Sequence, residues 1–370
     1  MRIDTITCHD CYNFGASLQA FALQNYLESQ GHNVRIIDYK PDYFSQHFKL
    51  SIIANPIYDR PLIRQLYLIA KLPGRILALK QKKVFDAFTS QYLKLTKRYN
   101  SYEELKSDAP EADIYIAGSD QIWNTLFNNG RDPAFYLDFG QSSTKRISYA
   151  ASFATKDIAP TYKEFVSQEL TNFDAVSIRE KISLPLLREL GRKDGVSVCD
   201  PVFLLSEKEW SQISQRGKSI NLTKDYILVY LTDKSDTIMD IAWKLSRDTG
   251  WEIIILGPAS KRYKHRCIRN IGPLEFVFLI SKANFVISNS FHATAFSLIF
   301  KKNFCVVNRT ESINERMISI LDEFGLSHRI VSGYNPVILK DIDYSTIISR
   351  LDSLIVKSKE WLNYEISERQ

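Results

Sequence analysis

Short runs of apolar residues alternate along this chain with longer segments whose apolar residues recur at helical spacing, and the whole alternation occurs twice. Residues 3–7 read as a strand, 17–30 as a helix closed by Gly31, and 34–39 as a second strand. The pattern resumes with strands at 114–117 and 146–151, a helix at 162–170, a strand at 175–178, a helix at 182–190 and a strand at 196–199. A second series begins with strand 226–231 and continues through helix 237–247, strand 252–256, helix 274–281, strand 285–288, helix 291–300, strand 304–307 and helix 313–324. These strands are apolar throughout rather than at every second position, so both faces need cover, which is the condition of a parallel sheet between helices. The expected fold class is α/β: two Rossmann-like domains facing across a cleft. Residues 1–205 form one, residues 206–343 the other, and a helical stretch 344–370 crosses back onto the first. At 370 residues each half is long enough for its own core.

Composition excludes several alternatives. Fourteen glycines and twelve prolines, scattered, do not fit collagen-like or low-complexity sequence. The five cysteines, Cys8, Cys11, Cys199, Cys267 and Cys305, are odd in number and mostly far apart, so reduced thiols are expected rather than a disulfide framework. Cys8 and Cys11 have zinc-like spacing, yet no second Cys/His pair follows, and no metal is expected. No apolar run approaches the ~20 residues of a membrane span, and the opening Met1-Arg2-Ile3-Asp4 lacks the apolar core of a signal peptide. A cytoplasmic protein is the expectation.

Charge is unevenly placed. Of the formal +6, residues 60–98 hold ten Lys/Arg against the single acid Asp86, and the rest, with 38 bases and 41 acids, is mildly acidic. The segment also carries Ile63, Leu66, Tyr67, Leu68, Ile69, Ile76, Phe85 and Phe88 at roughly helical spacing, so it reads as amphipathic helices broken at Pro73-Gly74. A solvated helix face would have this composition. So would a segment docking on an anionic membrane surface, the functional reading preferred here, at the inner face of the plasma membrane. Nucleic acid is not an expected partner, because +6 is small and no stacking aromatics mark a basic groove.

In open parallel sheets, ligands bind beyond the carboxyl ends of strands. Four such turns stand out. The first, residues 8–17, places Gly15 and small residues where a helix begins, allowing close approach to the backbone. The second, Gly118-Ser119-Asp120-Gln121-Ile122-Trp123-Asn124, offers a carboxylate as proton acceptor and an indole face for a sugar ring; helix capping and core packing would explain the same residues. In the third, Arg179 ends an apolar strand and suits bidentate capture of a carboxylate or phosphate, or else a salt bridge such as that to Glu180. The fourth, Ser288-Asn289-Ser290-Phe291-His292, sets a titratable imidazole among small residues at a helix start. Arg316 begins a further helix, and the loop 261–266 adds Lys261, Arg262, Lys264 and Arg266.

Taken together, the stretches TCHDCYNFGASLQA, IAGSDQIWN, SYAASF, SIREK, CDPVFLL and VISNSFHATAFS, in order between residues 7 and 297, resemble the polysaccharide pyruvyl transferase family. The resemblance implies an architecture like the two-domain GT-B glycosyltransferases, phosphoenolpyruvate as donor and a hexose-containing glycan, free or lipid-linked, as acceptor. It implies a product in which pyruvate bridges two sugar hydroxyls as a ketal, and no cofactor beyond the donor. Residue by residue, it places the family's histidine on His292 and its strand-end arginine on Arg179, with Arg316 as the base that follows. Some relatives carry arginine two positions before the histidine, where this chain has Ser290; Arg316, Arg309 or Lys261 would compensate.

Phosphoenolpyruvate becomes electrophilic at C2 once C3 is protonated, so such a site needs a general acid and cations for phosphate and carboxylate. His292 fits the first task; Arg179 and Arg316, with Asn289 and Ser290, fit the second. Asp120 is the expected base for the hydroxyl steps, and Asn13, Gly15, Gln19, Gln121, Trp123 and Asn124 are the expected acceptor contacts. A nucleotide-sugar glycosyltransferase and a non-catalytic scaffold of polysaccharide assembly are the competing readings.

Overall fold

A computed structural model describes residues 1–44, 60–258, 264–308 and 315–368. The first domain is built on β1 (Arg2–Ile6), β2 (Asn33–Tyr39), β3 (Leu95–Tyr99), β4 (Ile114–Ala117), β5 (Lys145–Ala151), β6 (Ala175–Ile178) and β7 (Val196–Ser197). These form one parallel sheet in the order β3-β2-β1-β4-β5-β6-β7. Its helices are α1 (Phe14–Ser29), α2 (Pro61–Tyr92), α3 (Tyr102–Ser107), α4 (Pro160–Glu169) and α5 (Leu184–Glu189). After α6 (Glu207–Ser214), the second domain contributes β8 (Tyr226–Tyr230), α7 (Asp236–Thr249), β9 (Glu252–Leu256), β10 (Arg266–Cys267), α8 (Pro273–Lys282), β11 (Phe285–Ser288), α9 (Phe291–Ile299), β12 (Asn303–Val306) and α10 (Glu315–Glu323). Its strands run parallel in the order β10-β9-β8-β11-β12.

Both sheets reverse strand order at their centres, β1/β4 in the first and β8/β11 in the second. At such a point adjacent strands send their connections to opposite faces and leave a crevice at the carboxyl edge. The two crevices face each other. Their approach is held by a continuous apolar core in which Phe14 of α1 stacks on Phe276 of α8 at 4.8 Å and on Phe85 of α2 at 5.2 Å. The last helix, α11 (Tyr344–Ser367), lies back on the first domain: Ser358 Oγ accepts from the Cys199 amide at 2.9 Å, and Tyr26 Oη donates to Asn363 at 3.1 Å.

Residues 60–98 depart from expectation. The helix does not break at Pro73-Gly74; α2 is one helix of 32 residues passing through Pro73. Proline removes a single backbone donor, and the carbonyl it would have engaged belongs to Ile69, in an exposed turn where water can serve instead. The segment ends in Lys94 and the edge strand β3, and the bases there are spent locally: Lys94 on Glu28, Lys97 on Asp108 and Arg98 on Asp38. Lys261, Arg262 and Arg309 lie outside the described residues, as do residues 313–314 of the expected helix 313–324. Among the described residues no helix is long and apolar enough to cross a membrane.

Candidate active site

Between the two crevices lies a cavity of about 310 Å³, lined from the first domain by Asn13, Asp120 and Gln121 and from the second by Ser290, His292 and Arg316. Each position follows from the local chain. Asn13 caps α1, accepting from the amides of Gly15 (2.9 Å) and Ala16 (3.3 Å). Asp120 leaves β4 with φ of 72°, a left-handed conformation that Asp tolerates better than most side chains. Its carbonyl is fixed by the amides of Ile122 (2.8 Å) and Ser152 (3.1 Å), so the turn is pinned to the end of β5. Ser290 precedes α9 without capping it through its side chain, which leaves first-turn N–H groups of that helix directed at the crevice.

Arg316 stands in the first turn of α10, nearly buried, with Nη1 3.8 Å from Asp120 Oδ1. Arginine has only donors, so the carboxamide of Gln121, which lies 2.9 Å from Nη2, satisfies it when its oxygen rather than its nitrogen is assigned to that side. Asn289 also lines the cavity, but its amide is engaged inside the second domain: Oδ1 accepts from the Thr232 amide and hydroxyl, each at 3.1 Å, and Nδ2 donates to Asp233. It ties the exits of β8 and β11 together.

His292 is nearly buried, its Nε2 3.5 Å from Asp200 Oδ2. Asp200 lies under the site and also accepts from Arg179 Nη1 (2.6 Å) and Ser119 Oγ (3.1 Å), while its other oxygen accepts from the Val202 amide (3.0 Å). Burial alone would raise its pKa; His292 and Arg179 outweigh that and hold the carboxyl well below the usual carboxylate range. In the sequence Asp200 stands only within the stretch CDPVFLL, with no role assigned to it. Its place just beyond β7, at the carboxyl edge of the sheet, was the signal available.

Five expected contacts stand elsewhere. Arg179 is withdrawn from the cavity: Nε donates to Glu180 (3.0 Å), Nη1 to Asp200, and its guanidinium lies 4.4 Å over the ring of Phe291. Burial opposes its charge, but Glu180, Asp200 and Asp120 outweigh that and raise its pKa above the ordinary value. The anion it binds is the protein's own. Trp123 is fully buried, stacked at 5.6 Å on Tyr136 with Nε1 donating to the Phe135 carbonyl, so it presents no face to a sugar. Gln19 is equally buried and donates to Thr7 Oγ1 (2.9 Å) and the Ala16 carbonyl (3.0 Å). Asn124 is buried with Oδ1 accepting from the Leu126 amide at 3.1 Å. Gly15 meets His292 rather than open space. Phe44, Phe127 and Phe291 do line the cavity, and of these Phe127 stands at its rim, 48% exposed, a residue the sequence reading passed over. Cys8 and Cys11 also line the cavity, as protonated thiols: burial, with Asp120 and Asp10 nearby, pushes Cys11 up to about 12.

The profile of the family described as polysaccharide pyruvyl transferase matches residues 13–311. No curated protein sequence matches the chain. Among solved structures, UDP-N-acetylglucosamine 2-epimerase from Rickettsia bellii is similar with a TM-score of 0.51 at 12% identity, covering 99% of this chain and 96% of that one. UDP-GlcNAc 2-epimerase from Methanocaldococcus jannaschii gives 0.49 at 13% identity over 97% and 92%, and the glycosyltransferase SnogD from Streptomyces nogalater 0.41 at 11% over 99% of each. At such identity the likeness is one of fold: two Rossmann-like domains in the GT-B arrangement.

Proposed function

The chain belongs to the polysaccharide pyruvyl transferase family, and on that premise we propose that its cleft moves the pyruvyl group of phosphoenolpyruvate onto two hydroxyls of a hexose in a surface-polysaccharide precursor, closing a pyruvate ketal. The observation that carries the reading is the meeting of His292, Arg316 and the open N-terminus of α9 in one cavity. A general acid, a fixed cation and backbone donors for an anion are what the donor requires.

In this mechanism Arg316 and the first turn of α9 hold the donor's phosphate and carboxylate. His292, oriented by the ionised Asp200, delivers a proton to C3, and the first sugar hydroxyl bonds to C2 as its own proton passes to Asp120. The C2–O bond to phosphate then breaks, inorganic phosphate leaves, and the second hydroxyl adds at C2 and loses its proton, completing the ketal. Ser290 stands where some relatives carry arginine, and Arg316 supplies the cation in its place. Arg179 acts through Asp200 rather than on the donor. No cofactor beyond the donor is proposed, and Phe127 replaces Trp123 as the apolar surface for the acceptor ring.

The test is incubation of the purified chain with phosphoenolpyruvate and a panel of hexosides, following acceptor mass and phosphate release together. A gain equal to pyruvate less one water, matched by phosphate, is the expected result. Binding of uridine nucleotides without any dependence on phosphoenolpyruvate would move the assignment to a nucleotide-sugar transferase.

A further inference from the structure

A second cavity, of about 430 Å³, lies on the seam between the domains and, among the described residues, shares no lining residue with the catalytic one. Three pieces of chain enclose it: α2 of the first domain, the connector 216–218 that follows α6, and the start of α8 in the second domain. Val84, Phe88 and Leu274 give it an apolar lining. Four cations border it, Lys80 and Lys83 one helical turn apart on α2, and Arg216 and Lys218 on the connector.

These charges are unanswered. Among the described residues none of the four side chains meets an acid or a hydrogen-bond acceptor, whereas Lys82, beside Lys83 in sequence, is paired with Asp86 at 2.6 Å. The one acid in the lining, Glu275, is buried and turned to the backbone: Oε1 accepts from the Lys218 amide at 2.7 Å and Oε2 from the Gly272 amide at 2.8 Å. Gly217 and Gly272 close over it, since a methyl group on the first would stand 3.2 Å, and on the second 2.9 Å, from its carboxyl group. The carboxylate thus ties the connector to α8 and leaves the four exposed side chains to one another. Like charges gathered on two walls of one half-apolar cavity repel, and an anion between them removes that cost.

We infer that this cavity is a second ligand site, built for the diphosphate group of a small molecule whose remainder lies against Phe88 and Leu274. Charge selects the group. A lone carboxylate would leave most of the lining charge unanswered, while a diphosphate brings several negative charges and acceptor oxygens for both walls at once. Size and lining select a small molecule: the volume is that of an ordinary ligand pocket, and a nucleic acid would span the rim and leave the apolar lining empty. Because the cations stand on both sides of the domain seam, an occupant stabilises the folded chain as a whole. The inference goes beyond the pyruvyl-transfer reading and uses none of its residues.

Calorimetry and thermal unfolding of the full chain with inorganic pyrophosphate and with ADP test this. Both probes are expected to bind and to raise the melting temperature. Tighter binding of ADP would make the ligand a diphosphate ester; equal affinity would make it free diphosphate. The double variant Lys83→Met/Arg216→Met, altered at two exposed positions, should melt like the parent without ligand and bind either probe at least about tenfold more weakly. The same exchange at Lys193 and Lys357, exposed bases outside the cavity, should leave binding unchanged, and Arg316→Met, which removes the cation of the other cavity, should retain a site for both probes. Absence of binding by either probe overturns the inference. So does an equal loss in the Lys193 and Lys357 variant, which would make the attraction one of overall charge, or a loss in Arg316→Met alone, which would put the diphosphate in the catalytic cavity. No readout here involves turnover, so these results and that of the pyruvyl-transfer assay are independent.

Discussion

Gly15, at the start of α1 in the first domain, lies directly against the imidazole of His292 in the second: a methyl group placed on it would fall 1.9 Å from Nδ1. Neither domain can hold the histidine alone. The backbone of Gly15 is compatible with other residues, so the glycine is required by the approach and not by its own conformation. Gly15→Ala should therefore push the ring off its position. Turnover should fall about 100-fold, the scale of a 1 Å misplacement in an active site, while thermal unfolding shifts little. Steady-state kinetics beside a melting curve would separate the two, and unchanged turnover would show that the ring yields without consequence.

Removing the proposed acid itself should cost more. His292→Gln keeps a polar side chain of similar reach beside Asp200 but cannot deliver a proton to carbon. We expect kcat to fall by about 10²–10⁴, with donor affinity by calorimetry close to that of the parent. Parent-like turnover would take the acid role from His292.

Asp200 links the site to pH. Its carboxyl titrates well below the ~3.9 of an unfolded chain, so between those two values the unfolded state binds more protons than the native one, and stability rises with pH. The contribution is complete above pH ~4 and is lost as pH falls through the folded value. Asp200→Asn should destabilise the protein by about 3–5 kcal/mol at neutral pH, because Arg179 loses a buried partner, and the gap to the parent should narrow below pH ~4. Urea unfolding of both proteins across that range is the measurement; a gap that does not change with pH would mean the carboxylate charge is not what Asp200 contributes.

Much of the fold was legible because buried parallel strands write themselves as continuous apolar runs: 114–117, 175–178, 252–256 and 285–288 are strands at those residues. What escaped had a different character. The edge strands β3 and β10 are half exposed and carry bases, so Leu-Thr-Lys-Arg-Tyr and Arg-Cys have no apolar signature. In the site, turns rich in small polar residues were found where parallel sheets bind ligands. Sequence could not say which side chains point outward. Trp123 stands two positions after the cavity residue Gln121, and Arg179 follows directly on β6 at the carboxyl edge of the sheet, yet both face the interior, one drawn in by aromatic neighbours and the other by buried carboxylates.

That distinction is testable at the aromatic pair. Trp123→Ala should cost about 3–5 kcal/mol of stability, the range for removing a large buried ring, and Trp123→Phe should leave the acceptor KM near the parent value. Phe127→Ala, at the rim, should reverse the pattern, raising acceptor KM with little effect on unfolding. An acceptor KM that responded to Trp123→Phe but not to Phe127→Ala would return the sugar contact to the indole.

The two arginines should divide in the same way. Arg316 reaches the cavity, so Arg316→Met removes a charge-assisted contact with the donor and should raise the KM for phosphoenolpyruvate about 10- to 100-fold, with a melting temperature close to the parent's. Arg179 is enclosed by Glu180 and Asp200, so Arg179→Met strands two buried carboxylates and should cost about 3–5 kcal/mol in unfolding. Whatever activity survives should show a nearly normal donor KM and a reduced kcat, since the damage passes through Asp200 to His292. If instead Arg179→Met raised the donor KM as strongly as Arg316→Met while the protein stayed stable, Arg179 would have to leave its carboxylates and bind phosphate directly, and the closed arrangement of Arg179, Glu180 and Asp200 would be the resting state that the donor opens.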